Sequence, residues 1–322
     1  MNYLIFYDKI ISVISVKKIS ICIMLCLIFL CSCKKQAEIN GFSMDAPYSI
    51  KINGLSKEKR AEIKEILDKS DRIFDAFEDS FLYTLNSEKS LKRTEENKDL
   101  FDAVRLALPF SNEFFDISVR PYTKLWDFSA ENPVPPTEKA LNNAKKSVGY
   151  ENIILRENKI ILNNESEIEL GAVAKGYMCD KVYALADGYE GIFDIGGTVK
   201  SSYNKPVSIG VRDPDGGILC SFYIEKGESV STSGSYERSF YYNDRLYHHI
   251  LDPKTGISVD NGLLSVTVIS DSALKSDILS TSYFVSGIEK ANVSNDITVI
   301  FVTKDKEITV KGKERDIKRM YD

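Results

Sequence analysis

The sequence predicts an α+β fold in which helices pack on largely antiparallel sheets, and three observations lead there. Apolar residues recur at helical spacing in the first half, as in the run after Ser56. From Gly191 onward the pattern changes to short β-rich runs joined by turn-like loops such as Asp213-Pro214-Asp215-Gly216-Gly217. At 322 residues, 43% hydrophobic and 28% charged, the chain is long and apolar enough to bury a sizeable core. Short loops between successive strands suit antiparallel neighbours.

Residues 1–32 read as a lipoprotein signal peptide rather than as part of the fold. Lys17 and Lys18 precede an apolar run, Ile19 to Leu30, too short to span a bilayer comfortably, which closes on Leu30-Cys31-Ser32-Cys33. A small residue before cysteine at such a point resembles a bacterial lipobox, so Cys33 is the expected lipidation site. An uncleaved signal anchor is the alternative. Residues 33–40 then read as a polar tether and 41–322 as the folded domain, held on the outer side of the cytoplasmic membrane.

Within that domain an alternating strand is expected around Tyr48-Ile50-Ile52. Ser56 can cap a helix whose core face carries Ile63, Ile66, Leu67, Ile73, Phe74 and Phe77. A second helix covers about 98–108 before Pro109, and an extended run follows at Phe114 to Val119, ahead of Trp126. Thr137 can cap a helix reaching about Val148, and 153–155 with 160–162 read as a hairpin. Extended Ile168-Glu169-Leu170 meets Gly171 and passes into a helix to about Ala186. Beyond Gly191, strands are expected near 192–195, 207–211, 219–224, 229–232 and 264–270. A helix near 273–285 and strands near 297–302 and 307–310 follow.

The formal charge of −5 and pI near 5.4 argue against nucleic acid as a partner, since no basic footprint exists for a phosphate backbone. Of six cysteines, only Cys179 and Cys220 lie beyond Cys33, in neighbourhoods without metal-ligand spacing, and read as isolated buried thiols.

Five short segments carry chemistry. Glu169-Leu-Gly-Ala-Val-Ala-Lys175-Gly176 places small residues where backbone can approach a ligand and adds a cation, although such glycines also serve packing. Asp194-Ile-Gly-Gly197 is a strand end with a tight turn, and Thr232-Ser-Gly-Ser-Tyr-Glu-Arg238 is a hydroxyl-rich hairpin or phosphate-holding segment. Asp277 and Thr281, four apart on a helix, share a face and could offer a carboxylate and a hydroxyl to a hard cation such as Mg²⁺, with helix capping by Ser276 or Asp277 as the alternative. Finally, Tyr247-His-His-Ile-Leu-Asp-Pro-Lys-Thr-Gly256 holds both histidines. Neighbouring residues of a strand face opposite ways, so at most one of His248 and His249 serves a given site.

Together, these segments and Val211-Arg-Asp-Pro214 resemble, in their order along the chain, the ApbE family of FAD:protein FMN transferases, from about Met44 to the C-terminal strands. The resemblance implies a T-fold-like α+β structure and Mg²⁺-dependent transfer of FMN from FAD to a threonine hydroxyl of a client flavoprotein, with release of AMP. It implies His249 as the catalytic residue, Ala172 (through its carbonyl), Asp277 and Thr281 as metal positions, and Met44, Phe77, Trp126, Asp127, Phe128, Glu169, Lys175 and Leu251 as FAD contacts. Glu169 stands where family members often carry aspartate, and Phe77 where they often carry tyrosine. Clients of the family include subunits of Rnf- and Nqr-type redox pumps. An FAD diphosphatase yielding FMN and AMP, or a non-catalytic FAD-binding lipoprotein, are the alternative activities.

Overall fold

The computed structural model describes residues 36–77 and 79–320; the expected signal peptide, residues 1–32, and the expected lipidation site Cys33 lie outside the described residues. Among the described residues no helix is long and apolar enough to cross a membrane.

The chain opens with the antiparallel pair β1 (Gln36–Ser43) and β2 (Ala46–Asn53), turned by Met44 and Asp45 at positive φ. The stretch 33–40, expected as a polar tether, is therefore a paired edge strand from Gln36 on. Its side chains mostly face water and only Ile39 reaches the core, so composition concealed the strand. Ser56 caps α1 (Lys57–Asp68) by accepting from the Lys59 amide, and a short α2 (Ser70–Phe74) follows. The single helix expected here breaks at Lys69, where the Ser70 hydroxyl donates to the Leu67 carbonyl. Phe77, expected on the core face, is 63% exposed because the backbone turns extended at Asp75.

Then come α3 (Phe81–Glu88), β3 (Ser90–Lys92), α4 (Lys98–Ala107), α5 (Arg120–Trp126) and α6 (Glu138–Ala144), the last capped by Thr137. The expected hairpin is β4 (Ile153–Arg156) with β5 (Lys159–Leu162), and β3 adds to its edge. Among the described residues Ile168 to Leu170, expected as extended, joins no ladder, and its neighbour Glu167 forms an isolated bridge to Val119. After it runs α7 (Ala174–Leu185).

The β-rich half comprises β6 (Gly191–Ile195), β7 (Thr198–Ser201), β8 (Val207–Arg212), β9 (Ile218–Ile224), β10 (Ser229–Gly234), β11 (Ser239–Tyr242) and β12 (Arg245–His248). It continues with β13 (Leu263–Ser270), α8 (Ala273–Lys290), β14 (Thr298–Thr303), β15 (Ile308–Gly312) and β16 (Lys318–Arg319). Eight strands form one sheet in the order β1-β2-β6-β7-β10-β13-β14-β15, every neighbouring pair antiparallel. The sequence-expected α+β class is thus the observed one.

Strand alternation explains why the middle of this sheet is buried on both faces. Val266 and Val268 of β13, with Val299 and Phe301 of β14, pack with Phe284 of α8. Their neighbours Ile269, Ile300 and Val302 pack the other way, with Leu219, Phe222 and Ile224 of β9. A larger core joins β2 and β6 to α1, α3, α4 and α7. Cys179 and Cys220 are buried free thiols, as expected.

Candidate active site

One cleft of about 800 Å³ lies where the loop before α7, strand β10, helix α8 and the segment after β12 converge. That volume suits a cofactor-sized ligand. Met44, Glu169, Ala172, Lys175, His249, Leu251, Asp277 and Thr281 all line it. Residues 120 or more apart in sequence therefore meet in one space.

Its floor is built from α8 and β10. Ser272 caps α8 by accepting from the Lys275 amide, so Ser276 and Asp277 lie within the helix and neither is its cap. On β10, Ser229, Ser231 and Ser233 are two apart and point to one side. They meet α8 in step: Ser229 Oγ lies 3.1 Å from Ser276 Oγ, Ser231 Oγ donates to Asp277 Oδ1 at 3.1 Å, and Ser233 Oγ is 3.0 Å from Thr281 Oγ1. Ser231 was absent from the sequence reading of the site, though the Ser-x-Ser-x-Ser alternation marks it.

From the opposite side, the Gly176 amide donates to Asp277 Oδ2 at 3.1 Å. A Cβ on Gly176 would lie 2.5 Å from the Ala273 carbonyl oxygen, so α7 and α8 cross at a distance only glycine permits. Because this amide turns to Asp277, it does not close a helical bond onto Ala172, whose carbonyl accepts no hydrogen bond among the described residues. Lys175 Nζ donates to Gly171 O at 2.6 Å and sits 3.8 Å from Asp277 Oδ2. Asp194-Ile-Gly-Gly197 is the strand end and tight turn expected of it, and it also borders the cleft. It turns β6 into β7, with Gly196 and Gly197 at positive φ and the Gly197 amide donating to Asp194 Oδ1.

The wall is the segment after β12, and here the two histidines separate. His248 is 4% exposed and lies edge-on to Phe284, its Nε2 2.7 Å from the Val259 carbonyl while its Nδ1 accepts from the Ile250 amide. These partners fix the Nε2–H tautomer. Burial, with Lys304 nearby, lowers its pKa to about 4. His249 lines the cleft, and its amide donates to Arg238 O at 3.0 Å. Its Nδ1 is buried without a partner among the described residues. Burial, then Arg238, His248 and Lys175, push its pKa down to about 3, so the imidazole is neutral at physiological pH.

An aromatic block holds this wall. Trp126 stacks on Phe128 with centroids 5.5 Å apart, and Phe240 and Tyr247 of the β11–β12 ribbon close around them. Trp126 Nε1 donates to Gly256 O at 2.7 Å, and Gly256, at φ +69°, leaves no room for a Cβ beside the Tyr122 ring. Trp126, Asp127 and Phe128, expected to touch a ligand, are not brought to the cleft. Trp126 is spent in packing, and Asp127, exposed at the end of α5, accepts from the Ser129 hydroxyl. Phe77 also stays outside. It covers the Arg120 guanidinium at 5.4 Å, which reaches Glu169 Oε2 at 3.9 Å, while the Thr123 hydroxyl also donates to Glu169. Arg120 and Thr123 escaped the sequence reading because α5 itself was not recognised as a helix.

Fold and cleft together define an α+β protein whose ligand-sized cleft has a hard-oxygen floor and an uncharged imidazole in its wall. The ApbE family model matches residues 44–300, and the chain belongs to that family. A Klebsiella pneumoniae (strain 342) protein named FAD:protein FMN transferase is 33% identical over 228 residues, 67% of this chain and 72% of that protein. A Vibrio cholerae protein of the same name is 29% identical over 305 residues, 86% of this chain and 91% of its own. The crystal structure of the Thermotoga maritima ApbE protein superposes with a TM-score of 0.76 at 27% identity, over 87% of this chain and 97% of that one.

Proposed function

We propose that this chain is an FAD:protein FMN transferase that moves FMN from FAD onto a threonine hydroxyl of a client flavoprotein. The observation that carries the reading is the neutral, unpartnered His249 facing the same cleft as Asp277 and Thr281. In the reaction the threonine Oγ attacks the FMN phosphorus of FAD and forms the new P–O bond. The bond to the bridging oxygen breaks, AMP leaves with that electron pair, and the hydroxyl proton passes to a nitrogen of His249. Burial and the cations around it keep the imidazole neutral and able to accept a proton but weakly basic, and the negative charge of a diphosphate beside it would raise that basicity. Lys175 brings positive charge near the diphosphate, and the buried wall behind His249 limits water, the competing nucleophile.

Asp277, Thr281 and the Ala172 carbonyl would hold Mg²⁺. Among the described residues no cluster of three or more His, Cys, Asp or Glu could hold a metal. One carboxylate, one hydroxyl and one free carbonyl nonetheless fit a hard ion that takes its remaining oxygens from substrate phosphate and water. When bound, the ion supplies charge neutralisation of the diphosphate and of the departing AMP.

The test is incubation with FAD, Mg²⁺ and a candidate client, for which subunits of Rnf- or Nqr-type pumps are the first choices. Flavin fluorescence that survives denaturing electrophoresis, with one AMP per flavin, is the expected result. AMP released without covalent flavin replaces the reading with an FAD diphosphatase, and tight FAD binding without AMP replaces it with a storage protein. We also propose that Cys33 carries lipid on the outer side of the cytoplasmic membrane. Metabolic labelling with a fatty acid, lost in Cys33→Ser, tests it.

A further inference from the structure

The geometry points to Asp180 as a positioning residue that fixes the cation-binding floor, an inference that rests on the Mg²⁺ reading above. Asp180 lies on α7 one turn beyond Gly176, so both face α8. It accepts four hydrogen bonds. Ala273 N donates to Oδ1 at 3.0 Å, Leu274 N to Oδ2 at 3.0 Å and Ser272 Oγ to Oδ2 at 2.7 Å, all from the start of α8. The fourth comes from Lys200 of β7, whose Nζ donates to Oδ1 at 2.8 Å and to the Asp271 carbonyl at 2.6 Å.

Helix termination alone does not call for this arrangement. Ser272 already caps α8 through the Lys275 amide. A carboxylate contributed by another helix, paired with a lysine whose side chain is 6% exposed, costs desolvation that a plain cap avoids. What it adds is registry. The lysine ties β7, next to β10 in the sheet, and the carboxylate ties α7, to the same end of α8. Asp277 and Thr281 follow one and two turns along α8, whereas Ala172 and Lys175 sit at the start of α7. A tilt of α8 about its N-terminus would separate the two donor groups, and Mg²⁺ tolerates little deviation from its octahedron. Asp180 touches no cleft atom and acts through Asp277 and Thr281.

The experiment measures Mn²⁺ binding by the loss of its free EPR signal, with FAD present, and FAD binding by flavin fluorescence in EDTA. Asp180→Ala is expected to weaken Mn²⁺ binding roughly 10- to 100-fold, as removal of an outer-sphere partner does, while leaving FAD affinity in EDTA unchanged. Asp180→Asn, which keeps one acceptor oxygen, should fall between, and Ser272→Ala serves if the alanine variant does not fold. The control is Asp99→Asn. Asp99 also anchors α7, through Tyr177 and Lys181, but makes no hydrogen bond to α8 among the described residues. It should lower Tm and leave Mn²⁺ affinity intact. Equal weakening by Asp99→Asn, or full Mn²⁺ affinity in the Asp180 variants, overturns the inference alone. A wild-type protein that binds no Mn²⁺ with FAD overturns it together with the metal reading.

Discussion

The floor and the wall of the cleft are built on opposite plans. In the floor, Asp277 and Thr281 project from a regular helix and are hydrogen-bonded by Ser231, Gly176 and Ser233. In the wall, His249 follows a short two-stranded ribbon, is tied to it only through its backbone amide on Arg238 O, and leaves Nδ1 unpaired among the described residues. Oxygens each held by one hydrogen bond keep their positions and a lone pair for a cation, whereas the buried Nδ1 of His249 has no partner among the described residues. The difference teaches that precision comes from hydrogen bonding where a metal must fit, and that reactivity comes from withholding a hydrogen bond.

The largest effect expected of any single change falls on the wall. His249→Ala should lower transfer by about 10²- to 10⁴-fold, the usual contribution of a general base, with FAD affinity nearly unchanged. His248→Gln, altering a satisfied neighbour that faces away from the cleft, should lose stability before activity. Rates from purified variants at matched folded fraction decide the matter, and equal losses would erase the distinction between the histidines.

A pH titration of stability sharpens the same contrast. Both histidines bind a proton near pH 6.5 in the unfolded chain but only near 4 (His248) or 3 (His249) in the folded one. The stability they contribute is complete above 6.5 and is lost as pH falls toward those values. Between pH 6.5 and 5, before most carboxylates titrate, the loss should approach roughly 2 kcal/mol per histidine. Urea unfolding at several pH values measures it. A curve flat over that window in wild type would mean the imidazoles are not buried as described.

Against the floor, Asp277→Asn removes the one carboxylate ligand and should raise the Mg²⁺ requirement by more than the roughly 10- to 100-fold that losing an outer-sphere partner costs, while leaving the His249 chemistry available at saturating metal. An unchanged metal titration would remove Asp277 from the floor.

The floor was the more legible region in the sequence. Asp277 and Thr281 are four apart on a run with unmistakable helical character, and i,i+4 spacing alone puts them on one face. Period-2 alternation likewise separated His248 from His249. What escaped were features set by distant chain. The polar edge strand β1 has little apolar signal because one neighbour and water satisfy it. Helix α5 is seven residues long, with Pro121 near its start, and shows little amphipathic period. The burial of Trp126 depends on Gly256, 130 residues away. Trp126, Asp127 and Phe128, expected at a ligand, stand in or beside the aromatic block behind the wall and do not line the cleft.

That distinction can be tested by the smallest of the expected effects. Trp126→Phe keeps most of the ring stacking on Phe128 but removes the indole donor, leaving the Gly256 carbonyl unpaired beside a buried Tyr122. The cost should be about 1–2 kcal/mol of stability, the penalty for one buried acceptor losing its partner. Because Gly256 closes the turn that begins at Asp252, three residues beyond His249, loosening it should lower the transfer rate a few-fold through the wall. The floor, wired separately through β10 and α7, should keep its Mg²⁺ dependence. FAD affinity separates the two possible roles of the tryptophan. If the indole acts only as packing, the affinity stays put while the rate falls; if it touches flavin, affinity falls first and Trp126 belongs inside the cleft after all.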